Sequence, residues 1–505
     1  MAIISKDDSN KKIVLKINDF ARGFDITYGE NITSMDSAIV CYNFDFNSGV
    51  LKEGIGFKNF TTPTSKESEE NQIGIYYDDF DKEIKSLWHF GHYSRARNEY
   101  TDKLLFYASD GCVWYILLNN IYPTTTQLSH LAFTKQPKMF NTKIVDLDSV
   151  IVSSGVDNLG YWNGDGVPMR FENCPKIVSL CDYKNKLYYI TGGEQKFINY
   201  SNNYHLTQWT DTPNADYDEG SFEINDGQGK INRLINFQGH MYVIRDYNIL
   251  KITCYEDMRS ISNVYMSGNK IYADTLQICG DQMFMLTRGG IVKFDGVTAK
   301  KIDLKFGKLL ENIDNKNAKA CFHNGKYALA CRLNYGDDKK IGCENQLSYK
   351  NNTLLLLDVQ TGDYTITRGI DIADLISLQS ESLNKMVFCY NTVNSGVLGE
   401  ISTTGKFFNA TTHKYWCSPL SDLGYSNKKK LVKEISLISK YDCTLTIFTE
   451  KESKSFKVCG SELLNKFPVR LSGKQIGFKI ETDENKAYIS NLMMNIELME
   501  SGNAI

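Results

Sequence analysis

No run of about 18 apolar residues occurs in the chain, so no segment is expected to cross a membrane as a helix. The opening MAIISKDDSNKK is polar and lacks the charged-then-apolar order of a secretory signal, so cytosolic synthesis is expected. Proline is scarce, 8 residues against 37 Gly. Helix-period runs are scarce too: Phe306 to Asn312 is the best helix candidate and Asp371 to Leu378 a weaker one. No CxxC pair exists, and the 13 Cys are odd in number, which argues against an evenly paired disulfide scaffold. Cys112, Cys331 and Cys389 lie in apolar runs (GCVWYIL, YALACRL, MVFCYN) and read as reduced, buried thiols. Excess charge is lacking: the formal net charge is -3, which gives no reason to expect tight nucleic-acid binding. Lys428-Lys429-Lys430 reads as a solvated turn.

What the chain has is aromatic residues, 30 Tyr and 26 Phe, with glycine between them. Such residues suit pleated, half-buried strands, and Gly suits the turns that join them. At 505 residues the chain exceeds what one core sustains, so it must divide or repeat.

It repeats. The units are KLLFYASDGCVWYIL (103–117), SVIVSSGVDNLGYWNGDG (149–166), KLYYITGGEQKFINYS (186–201), HMYVIRDYNILKI (240–252), QMFMLTRGGIVKFDG (282–296), GKYALACRL with NTLLLLDVQTGDYT (325–333 and 352–365), and KMVFCYNTVNSGVLGEI (385–401). Each is an apolar strand, a polar or Gly turn, and a second strand: a β-hairpin. They recur at roughly 40–55 residues, the spacing of propeller blades. Blades bury their faces only by stacking around a channel. A pair of β-sandwiches is the competing architecture. The stretch 334–350 looks like a long exposed loop within one hairpin. Beyond Trp416, six strands alternate with period two, as a small sandwich does. The expected architecture is all-β: residues 1–70 as an N-terminal arm and lead-in segment, 71–412 as a β-propeller of about 6–8 blades, and 413–505 as a C-terminal β-sandwich.

The search for chemistry returns little. His89 and His92 (WHFGH) could share a metal only if the chain turned at Gly91, because residues i and i+3 of a strand face opposite ways. No GxSxG, HExxH, P-loop or dinucleotide fingerprint occurs. Gly192-Gly193 and Gly289-Gly290 read as hairpin turns. Asp146, Asp148, Asp216, Asp218, Glu219 and Asp295 are the candidates for glycosidase carboxylates, and DYDEG (216–220) and NDGQG (225–229) for Ca²⁺ loops; all read better as solvated acidic turns. NYSNNYHLTQWTDTP (199–213) offers Tyr204 and Trp209 as weak candidates for glycan or subunit contact. No catalytic, cofactor-binding or metal-binding residue and no cofactor is expected.

Ser37 to Phe60 carries a phrase made by Asn43, Asp45, Gly49, Leu51, Lys52, Gly54 and Gly56 ahead of the first repeat. Lys186 to Trp209 follows a strand with a serine–asparagine turn and a tryptophan. Lys414 to Ile438, Phe467 to Thr482 and AYISNLMMNIELM close the chain. In this order the pieces resemble the propeller-type tail and neck structural proteins of tailed bacteriophages: nozzle, hub or tail-stabilising ring components. Lys474 stands where many relatives carry arginine, a change of surface residue only. The resemblance implies a virion structural protein made in the host cytoplasm, without catalysis. Its copies would form a closed ring, a hexamer, contacting portal, adaptor or other tail proteins, with DNA passing through and not bound sequence-specifically. A receptor- or glycan-binding module of the tail is the first alternative. A polysaccharide-degrading enzyme, a glycoside hydrolase or lyase, is the second.

Overall fold

The computed structural model describes residues 2–7, 12–28, 33–60, 80–96, 98–118, 125–144, 147–172, 174–193, 195–202, 220–255, 258–311, 313–335, 349–380, 383–391, 396–408 and 410–499. The protein is all-β, built from many small antiparallel sheets. Seven of them have four strands each and follow one another along the chain. They are led in turn by the strands Ile84–Ser94, Lys138–Ile144, Ile177–Tyr183, Ile231–Phe237, Ile271–Cys279, Lys319–His323 and Ile372–Gln379. Each hairpin unit of the sequence forms the second and third strands of one sheet. Along their apolar stretches those second strands are buried on both faces. His240–Arg245, Gln282–Thr287 and Lys326–Cys331 bury every residue after the first. A strand buried on both sides needs a sheet against each face.

The leading strands supply that packing. From the second sheet to the seventh, each leading strand lies against the next, and Ile372–Gln379 packs against Ile84–Ser94 of the first. Ile84–Ser94 in turn meets Leu147–Ser153 of the second sheet. The seventh sheet takes its fourth strand, Gly56–Asn59, from the other end of the chain, with Phe57 opposite Ile401 and Ser402 opposite Gly56. Phe57 is fully buried, 4.9 Å from the Phe388 ring and 4.7 Å from that of Phe407.

Two further sheets share one apolar core. The larger holds Ala2–Asp7, Lys12–Ile17, Tyr488–Met499, Lys429–Ser439 and Ser461–Gly473, with Leu51–Glu53 and Phe44–Asp45 at its side. The smaller holds Val40–Tyr42, Lys414–Cys417, Ile476–Thr482, Cys443–Thr449 and Ser453–Val458. Leu15, Ile435 and Leu492 of the first meet Trp416, Leu445 and Phe478 of the second, and the same core runs on into Leu286 and Leu329 of the fifth and sixth sheets.

Four expectations change. Strands within 1–60 do not form a separate arm and lead-in: five join the two terminal sheets and one completes the seventh. The helix candidate at Phe306 is a single 3-10 turn, Gly307–Leu309, and that at Asp371 is a strand with a bulge between Ile372 and Asp374. Lys430 is buried, its ammonium donating to the carbonyls of Tyr425, Lys428 and Lys474. Cys112 is only partly buried; the other described cysteines are free thiols too, and all but Cys459 are buried.

Candidate functional site

The strand Ile84–Ser94 runs straight through Gly91, pairing residue by residue with Glu99–Ala108 from Ser86 to Ser94. His89 and His92 therefore face opposite ways. His89 Nε2 meets Asp102 Oδ1 at 2.9 Å on one face. His92 turns to the second sheet, with Thr101 and Lys103 on the same face, and all three are buried.

Further along this face, Leu105, Tyr107, Val113 and Leu128 make an ordinary apolar contact with Val150, Val152 and Trp162 of the second sheet. Next to that contact lies a cavity of about 300 Å³, lined by Ser94, Thr101, Lys103, Tyr115, Leu117, Thr126, Trp162, Gly164, Asp165 and Gly166. The loop after Gly160–Trp162 covers His92: a Cβ on Gly164 would stand 2.4 Å from the imidazole, so the loop closes this tightly only with glycine. Lys103 Nζ lies 3.2 Å from the His92 ring nitrogens and 5.1 Å from the centre of the Trp162 ring. Ser94 Oγ donates to Asp165 Oδ1 at 2.8 Å, and His92 Nε2 is 3.5 Å from the same oxygen.

Burial, then the charge of Lys103, lowers the His92 pKa and favours the neutral imidazole. Burial works against the Asp165 carboxylate, but hydrogen bonds from Ser94 and His92 and the charge of Lys103 outweigh it, and its pKa falls. The order of groups differs from a nucleophile–base–carboxylate relay, since the serine hydroxyl donates to the carboxylate and not to the imidazole. Such a set can bind and orient a polar ligand.

A second charged cluster lies among the leading strands. Asp274 of the fifth sheet accepts from Lys138 of the second at 3.0 Å and from Lys319 of the sixth at 2.7 Å. Burial opposes ionisation of Asp274, and the two lysines overcome it, taking its pKa far below the usual carboxylate range. Asp374 of the seventh sheet accepts from Leu87 N of the first at 2.9 Å. Side-chain hydrogen bonds join every neighbouring pair of sheets: Trp88 to Asn141, Ser153 to Ile177 O, Leu234 N to Ser179, Arg233 to Leu276 O, Gln277 to Ala320 O, His323 with Ser377, and Leu87 N to Asp374.

No family model matches this chain, and no curated protein matches it.

The sequence candidates fall as follows. Tyr204, Trp209, Asp146, Asp216, Asp218 and Glu219 lie outside the described residues. Asp148 accepts from Tyr93 N at 3.4 Å, and Asp295 caps its own turn, its pKa lowered to about 2 by hydrogen bonds from Thr298 and Val297. In NDGQG, Asp226 pairs with Arg245 and accepts from Gln228 N. Among the described residues no group of three or more His, Cys, Asp or Glu side chains could hold a metal, and no helix is long and apolar enough to cross a membrane.

The lead-in phrase forms a junction. Asn43, at φ 61°, donates through Nδ2 to His413 O and Arg368 O and accepts from Arg368 N, tying the sixth sheet to the terminal sheets. Asp45 accepts from Asn47 N and Nδ2 in the turn that Gly49 closes at φ 80°. Gly56 brings the chain so close to Lys406 O that a Cβ would lie 2.4 Å from it, while Gly54 N donates to Asn43 O. Of the buried set His92, Thr101 and Lys103, the sequence points to His92 alone. A signal for the other two is present: TDK interrupting the apolar strand EYTDKLLFYA.

Proposed function

We propose that the protein is a non-catalytic structural subunit of a virus particle, an oligomeric ring component of a phage tail or neck. In this reading the seven four-stranded sheets are the blades of a closed β-propeller, and the two terminal sheets are a β-sandwich fixed to it. The observation that carries the proposal is the way the body is fastened. The strand Gly56–Asn59 completes the seventh sheet, the strands before it complete the terminal sheets, and polar side chains bridge each pair of neighbouring sheets. The described strands nearest the two ends share one sheet, so a pull on either is borne by that sheet. That suits a part that bears load and holds neighbours.

The virion assignment is supported by the order of the sequence segments: lead-in phrase, repeated hairpins, Trp416, alternating strands. The charged cluster sharpens it. Lys138 and Asp274 meet inside the circuit of leading strands, so DNA would pass between copies and not along the axis of one subunit. A net charge of -3 suits a wall that lets DNA slide.

Electron cryo-microscopy of purified particles tests this. A closed ring of this chain at the tail or neck is expected. Absence of the chain from particles, or its presence as isolated single copies, would overturn the proposal. The alternative of a ligand-binding module draws on the cavity beside Lys103 and Asp165.

A further inference from the structure

We propose that the cavity between the first and second sheets is a binding site for a neutral sugar unit. It does not rest on the ring proposal: its lining comes from the first two sheets and the loop after Gly160–Trp162.

Contact between two stacked sheets needs apolar side chains, and the rest of this interface has them. The polar groups are therefore an added feature with a folding cost, since a buried ammonium must replace its lost hydration. Lys103 is 5% exposed, and its ammonium lies within hydrogen-bonding distance of the His92 ring and of Thr101 Oγ1 and beside the Trp162 indole. A site for a ligand justifies such a cost where packing does not.

The size and lining narrow the ligand class. About 300 Å³ is the low end for small-molecule sites, enough for one or two sugar rings. The walls offer an ionised carboxylate at Asp165, an ammonium at Lys103, and hydroxyls at Thr101, Tyr115 and Thr126. Sugar hydroxyls donate and accept, and this set answers both. Tyr115, Leu117 and Trp162 supply apolar wall for the C–H faces of a ring. The charges argue against other classes. A phosphate or sulfate would face Asp165, and a polyamine would face Lys103. Asp165 and the exposed Gly166 stand at the rim, so a ligand can enter without disturbing the core.

Saturation-transfer NMR on the full chain tests this, with glucose, galactose, mannose, rhamnose, N-acetylglucosamine and maltose, and with inorganic phosphate and glycine as competitors. Two variants accompany it. Asp165→Asn removes the carboxylate charge. Thr126→Trp, at an exposed position of the outer strand, fills the cavity without touching the core. At least one sugar is expected to bind with Kd at or below about 1 mM. The affinity should fall tenfold or more in both variants, and the melting curve of Thr126→Trp should match the parent's. Three outcomes would overturn the proposal: no sugar saturating, sugar binding unchanged in Thr126→Trp, or displacement of the sugar by phosphate or glycine. If Asp165→Asn fails to fold, Thr126→Trp alone decides.

Discussion

Lys138 and Asp274 lie 3.0 Å apart although they stand on the second and fifth sheets, 136 residues apart in sequence. With Lys319 on the sixth sheet they form a charge cluster that no single sheet contains. The pair is partly solvated, the side chains being 45% and 34% exposed, so its strength should be modest. A double-mutant cycle of Lys138→Met and Asp274→Asn, read by urea unfolding, should give a coupling of about 0.5–1 kcal/mol. Strict additivity would mean that the Lys138–Asp274 pair adds nothing to stability.

Asp374 makes stability depend on pH. Burial, its largest influence, raises its pKa from 3.8 to about 6. The native state then keeps a proton that the unfolded chain has released, so this group lowers stability as pH rises through that interval, and its effect levels off above it. Compared with Asp374→Asn, the parent should lose stability from about pH 4 to about pH 6 and hold a constant difference beyond. A difference that moves the other way would show that the carboxylate is stabilised, not penalised, in its place.

Phe57 tests the fastening of the seventh sheet. It is fully buried between Phe388 and Phe407, on a strand borrowed from far upstream. Phe57→Ala should cost about 3–5 kcal/mol of unfolding free energy. Limited proteolysis should then cut within the seventh sheet first. A loss below about 1 kcal/mol would mean that the strand is an ornament to a sheet already complete.

Asn43 tests the junction. Removing its side chain takes away the acceptor of Arg368 N and the donor to the carbonyls of Arg368 and His413, and it loses a residue suited to positive φ. Asn43→Ala should lower stability by about 2–4 kcal/mol in chemical unfolding, and Asn43→Asp, which keeps the acceptor but sets a buried carboxylate oxygen against both carbonyls, by at least as much. A loss below about 1 kcal/mol in Asn43→Ala would mean that these hydrogen bonds do not hold the junction.

The hairpins were legible because their signals are local. Asp110 and Gly111 turn the chain between Glu99–Ala108 and Cys112–Leu117, and alternating or apolar runs flank the turn. Strand partners distant in sequence were not legible. Nothing in GFKN says that it pairs with Gly396–Ser402, because pairing across more than 300 residues leaves no local period. Asp371 to Leu378 misled for a related reason: the bulge at Asp374 breaks the two-residue alternation that marks a strand. Lys430 read as solvated because its three carbonyl partners come from two separate turns. The cavity escaped because Asp165 and Lys103 meet only when two sheets stack, although the buried polar run Thr101–Lys103 hinted at it.

The central claim is that copies of this chain close into a ring, and native mass spectrometry of the purified full-length protein tests it most directly. The expected result is one dominant species at an integral multiple of 57.5 kDa, a hexamer, that persists on dilution. A single species at 57.5 kDa, unchanged at high protein concentration and in extracts of intact particles, would contradict it.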